Sequence, residues 1–258
     1  MKFLTLFLSI AFFLQSYAQD ARYTYGPITG VNLDDMLAIA AKMYDNNEVQ
    51  VETFNYSQGK ILSSYYNFTI LISPYRAKIL ANNTDDGVYL SLYELQVKGK
   101  YGYEDVESVL GKKCDKLIKS FGKEFEKISE NPDEVEKAKT KFYNDPNTHY
   151  IFFKKATELA AERWYENFMK DKVFSWDLKF SDIKKNESSK YKEYKYVVTA
   201  RYYTGSSLVG LGGLYVKLYT NSDSEAMTEK NSIVNIEGKC VGFKENMGYY
   251  YINFIEAK

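Results

Sequence analysis

The chain has 258 residues with 34 Lys+Arg, 34 Asp+Glu and one His, so it is formally neutral, and 45% hydrophobic with 26% charged residues is ordinary globular composition. That balance announces no polyelectrolyte partner, and a chain this long buries a sizeable core without needing disulfides or a metal. The departure from average is 25 Tyr, which with 16 Phe and 2 Trp brings aromatics to 17% against only 4 Pro; this favours aromatic-rich antiparallel sheet over linkers or disorder.

At the start, Lys2 precedes an apolar stretch over 3–14, followed by Gln15, Ser16, Tyr17 and Ala18. This is the n-region, h-region and small-residue pattern of a secretory signal, so residues 1–18 are expected to be a signal peptide cut after Ala18. A membrane anchor is the alternative, but a span needs roughly 20 apolar residues. No Cys stands near Ala18 to be acylated, and no transmembrane segment is expected after signal removal. The expected location is therefore exported: periplasmic, cell-surface or extracellular. Without the signal, 33 basic residues face 34 acidic ones.

Residues 19–145 read as an α+β domain. Asn32 can cap a helix whose Leu33, Met36, Leu37, Ala40 and Tyr44 share one face, with Asp34 and Asp35 in the first turn. From Glu48 the period becomes two. Strands are expected at 49–53, 61–73, 77–81 and 88–97, the second stopped by Pro74, giving a four-stranded antiparallel meander. A long amphipathic helix is expected over 104–129, with Val106, Val109, Leu110, Cys114, Ile118 and Phe125 on its apolar stripe. Its lysines are interleaved with acids and read as a solvated face. Asn131-Pro132 breaks it, and a second charged helix runs over 133–143.

Residues 146–258 read as a second domain. A helix is expected over 149–168, with His149 at its entry. No Ser, Cys or carboxylate constellation accompanies that His, so it reads as structural or surface rather than catalytic. Five strands follow at 173–183, 194–203, 214–219, 233–243 and 249–255, with a stretch of helix-forming residues at 223–229 after the third. Phe174 to Ile183 alternates, Val234 to Phe243 carries Glu237-Gly238-Lys239-Cys240, and Tyr250 to Ile255 closes the chain. In these motifs and this order the segment resembles the small secreted OB-fold domains of the tRNA-anticodon-binding-like group. It departs from them at Lys230-Asn231-Ser232, where such domains carry a Lys-Gly turn. The resemblance implies a five-stranded OB-like β-barrel after the N-terminal meander, binding its ligand on strands two and three.

Alternation then sends Phe174, Trp176, Leu178, Phe180, Leu214, Val216, Leu218, Tyr250, Ile252 and Phe254 inward. It leaves Lys195, Arg201, Tyr203, Tyr215, Lys217 and Tyr219 as a basic and aromatic outer face, the candidate ligand-binding set. An ordinary solvated sheet face is the plain alternative. Residues 171–258 hold 13 Lys+Arg and 11 Asp+Glu, too even a balance to hold phosphates, so nucleic acid is disfavoured and a protein or an envelope glycan is the expected partner. Gly210-Leu211-Gly212-Gly213 is a hairpin loop rather than a phosphate cradle. Cys114 and Cys240 permit a disulfide in an exported chain, with two buried thiols as the competing reading. One His and no CxxC pair leave no usual zinc ligand set, and no catalytic residue or cofactor is expected. The expected function is a non-enzymatic binding module of the cell envelope or periplasm; a secreted hydrolase using surface carboxylates and a purely structural envelope component are the alternatives.

Overall fold

Local signals decide most of the elements of the computed structural model, which describes residues 23–70, 73–106, 111–202, 213–222, 229–246 and 249–256. The expected signal peptide, Tyr203, the loop glycines before Gly213 and the stretch 223–228 lie outside the described residues. Among the described residues the fold is mixed α/β, with five helices and two sheets, one antiparallel with seven strands and one mixed with five. Among the described residues no helix is long and apolar enough to cross a membrane. Contacts divide the chain into two units, Met1–Thr140 and Lys141–Lys258.

In the first unit, α1 (Leu33–Asn46) begins where the Asn32 side chain accepts the Asp35 amide at 2.9 Å. It buries Met36, Leu37, Ile39, Met43 and Tyr44 against the sheet. The Tyr44 hydroxyl, fully buried, donates to the Ile79 carbonyl at 2.8 Å, which satisfies the one polar atom on that apolar face. The strands are β1 (Thr24–Ile28), β2 (Val51–Asn55), β3 (Lys60–Ser63), β4 (Tyr66–Ile70), β5 (Ser73–Thr84), β6 (Gly87–Gly99) and β7 (Gly102–Asp105). They pair in the order β1-β6-β5-β3-β2, with β4 also on β5 and β7 also on β6.

The expected four-stranded meander is therefore a seven-stranded antiparallel sheet. Gly26 and Pro27 disguise β1, which tolerates proline because it lies at the sheet edge. The run 61–73 divides at Ser64 and Tyr65, since β3 pairs with β5 at residues 80–82 while β4 pairs with its start. Pro74 ends nothing: it sits inside β5 opposite Thr69. The helix expected from 104 is α2 (Lys112–Ser129), because Gly102–Asp105 turns back onto β6. Its stripe is buried at Cys114, Ile118, Phe121, Phe125 and Ile128, while Val109 and Leu110 lie outside the described residues. Gly122 lets it approach β1: a Cβ there would stand 2.0 Å from the Tyr25 ring. α3 (Pro132–Asn144) follows, and its Glu134 and Lys139 pair with Lys42 and Asp35 of α1.

In the second unit, Asp145 caps α4 (Pro146–Phe153), with Pro146 supplying the preset φ of a first helical residue. The single helix expected over 149–168 is interrupted, because Thr157 caps a fresh start, α5 (Glu158–Trp164), which continues as a π-helical turn over Tyr165–Met169. The strands are β8 (Val173–Lys185), β9 (Tyr196–Tyr202), β10 (Gly213–Thr220), β11 (Ile233–Asn246) and β12 (Tyr249–Ile255). Pairing runs β8-β9-β10-β12-β11 and returns to β8, so the five form a mixed ring in which only the β10–β12 pair is parallel. All ten residues that alternation sends inward are buried.

Candidate functional site

Among the described residues the outer face of the ring is covered on one side and open on the other, and the β8–β9 connection decides which is which. Asn186 donates from its carboxamide to the Tyr194 carbonyl at 2.9 Å and to that of Tyr191 at 2.5 Å, folding the connection back over the sheet. Tyr191 and Tyr194 are thereby buried with Tyr219, the Tyr191 and Tyr219 ring centroids standing 4.2 Å apart, and Val197, Val241 and Ile255 pack around them. Tyr219, expected on the exposed face, is accordingly only 7% exposed, and burial raises its phenol pKa. The ring is part of a second apolar layer rather than a contact surface.

Lys195 is exposed but stands just before β9, where its amide donates to the Asn221 side chain at 3.0 Å. Six residues of extended strand, about 20 Å, separate it from Arg201. Tyr203 lies outside the described residues. Of the six candidates, the structure brings together Arg201, Tyr215 and Lys217, all half-buried on the open half.

Register supplies their neighbours. Lys179, Arg201, Tyr215, Tyr251 and Lys244 occupy one row across β8, β9, β10, β12 and β11. The Tyr215 ring stacks on Tyr251 at 5.5 Å between centroids and meets Tyr249 edge-on at 5.9 Å. The Lys217 ammonium lies 5.2 Å from the Tyr251 centroid, and Arg201 donates to the Asn231 side chain at 3.1 Å. Tyrosines held by neighbouring rings offer flat, amphipathic area at little further entropic cost, and the cations around them favour an anionic complement. Sequence reading missed Tyr249, Tyr251, Lys179 and Lys244. Alternation already pointed the two tyrosines outward, but the parallel β10–β12 pairing that sets them beside Tyr215 has no local signature.

The remaining candidate chemistry is structural. His149 is buried; its Nε2–H donates to the Tyr143 carbonyl at 2.9 Å, and its Nδ1 accepts the Trp164 indole N–H at 3.0 Å. Burial lowers its pKa to about 4, outweighing the carbonyl contact that favours the cation. Cys114 and Cys240 are free and buried, each packed in the core of its own unit, which is the buried-thiol reading and not the bridge. Burial raises their pKa values to about 11 and about 12. Among the described residues no three His, Cys, Asp or Glu side chains come together as metal ligands. No protein-family model matches the chain, and a search of curated proteins finds no match.

Proposed function

We propose that this is an exported, non-enzymatic binding module of the cell envelope, and that it engages its partner through the open half of the C-terminal ring. One observation carries the reading: Tyr215, Tyr249 and Tyr251 form a part-exposed aromatic cluster on adjacent strands, with Lys217 against it and Lys179, Arg201 and Lys244 in the same row. Tyr and Arg are the residue types that most often anchor protein interfaces, so a protein with an acidic complementary patch is the favoured partner. Export is argued from residues 1–18 alone. We read the ring as an OB-like barrel, the fold that the C-terminal motifs resemble; its third and fifth strands pair in parallel.

The test is capture from a native envelope fraction, run beside co-sedimentation with purified cell-wall glycan. The double variant Tyr215→Ala/Tyr251→Ala should weaken capture by roughly tenfold or more, the loss expected for anchoring aromatics, and leave the melting temperature within a few degrees of the parent. Sedimentation with glycan that depends on the same two rings would assign the glycan instead. Undiminished capture, or a collapse of thermal stability showing the rings to be core, would remove the proposal.

A further inference from the structure

The face of the N-terminal sheet opposite α1 and α2 holds a groove of about 530 Å³, a size suited to a small ligand. Ile61, Ile79, Ala81, Leu90 and Leu92 are buried on the helix side, and alternation sends the intervening residues to the groove. Thr53, Leu62, Leu80, Ser91 and Thr24 form one row across β2, β3, β5, β6 and β1. Asn55, Lys60, Asn82 and Tyr89 form the next, about 7 Å away along the strands. The floor is thus the Leu62–Leu80 pair, with Tyr89 and Tyr93 either side of Ser91 and a line of amides along one flank.

Apart from the Lys60 ammonium, the side-chain hydrogen-bonding groups in this lining are of one kind. The carboxamides of Asn55, Gln58 and Asn82 and the hydroxyls of Thr53, Ser91 and Tyr89 each both donate and accept. Asn55 Oδ1 already accepts the Gln58 amide at 3.1 Å and the Ser57 hydroxyl at 2.9 Å, which orients that carboxamide with its NH2 as donor. Among the described residues the lining contains no carboxylate, imidazole or thiol, and Lys60 is its one amine. A cationic ligand would find no counter-charge there, and a carboxylate or phosphate would make little use of acceptors it cannot bond. A sugar ring matches both features, because its hydroxyls also donate and accept while its C–H face is apolar. We infer that this groove binds a mono- or disaccharide, its C–H face on Leu62 and Leu80 and its hydroxyls shared among Asn82, Ser91, Tyr89 and Asn55. The site lies wholly within the N-terminal unit and does not depend on the ring face.

The test is saturation-transfer NMR with calorimetry on the whole protein, using glucose, N-acetylglucosamine, maltose and cellobiose, with octanoate and inorganic phosphate as competitors. At least one saccharide should bind with a micromolar to millimolar Kd. That affinity should fall roughly tenfold in Asn82→Ala and in Tyr89→Ala, the loss of one well-made contact, and stay unchanged in Leu159→Ala, at an exposed residue of the other unit. Asn82→Ala removes only a half-buried carboxamide and carries the test if Tyr89→Ala lowers the melting temperature. No binding by any of the four sugars, binding that survives both groove variants, or preference for octanoate or phosphate would overturn the assignment.

Discussion

Acidification should destabilise the C-terminal unit through His149 in particular, and the size of the effect follows from its surroundings. In the unfolded chain the imidazole titrates near 6.5; in the fold it titrates near 4, because it is buried against Phe153, Trp164, Phe174 and Trp176. Below pH 6.5 the unfolded chain takes up a proton that the folded chain refuses, so stability falls as pH drops. It levels off once pH passes below about 4, where both states carry the proton. A difference of one pH unit between the folded and unfolded titration points is worth about 1.4 kcal/mol, so the loss is about 2 kcal/mol by pH 5 and about 3 kcal/mol in all.

His149→Gln isolates this contribution, since a carboxamide can donate to the Tyr143 carbonyl and accept from Trp164 without titrating. Urea unfolding followed by fluorescence reads the right region, because the chain's 2 Trp, Trp164 and Trp176, both lie against the imidazole. The acids with lowered pKa values, among them Asp171, Asp182 and Glu256, are present in both proteins and cancel in the comparison. Between pH 7 and pH 5 the wild-type midpoint should fall by roughly 1 M urea more than that of the variant. Parallel curves over that range would show that the imidazole is not held neutral by burial.

Two further outcomes concern the cores of the two units. Gly122→Ala should lower stability by about 1–3 kcal/mol although alanine is the better helix former, because its Cβ would strike the Tyr25 ring; thermal melts of Gly122→Ala in a Tyr25→Ser background should recover most of the loss, and no recovery would refute the clash. Cys114 and Cys240 should react with a thiol reagent at pH 8 far more slowly than an exposed cysteine, and both should titrate after unfolding without reductant. A fast-reacting thiol in the native protein, or fewer than two after unfolding, would contradict their burial as free cysteines.

Much of this protein follows from its sequence alone, wherever the deciding interaction is local. Asn32 caps α1 because its side chain needs only an amide three residues on, and the period of two in β8, β10 and β12 separates core from surface because alternate residues of any strand face opposite sides. Pairing partners carry no such signature. Whether Pro74 ends a strand or lies within one depended on β4, and whether Thr24–Ile28 was a strand at all depended on β6, where Thr24 meets Ser91 at a separation out of reach of any local pattern.

The same limit divides the candidate site. Alternation places Tyr215 and Tyr219 on one side of β10, yet only the fold of residues 186–195 buries the second and leaves the first open. Tyr249 and Tyr251 join Tyr215 through a parallel pairing between strands that are not consecutive in the chain, and the groove of the N-terminal unit is assembled from five paired strands, β2, β3, β5, β6 and β1. Facing is a property of one strand and its period; neighbourhood is a property of two, settled by the cooperative burial of the whole sheet.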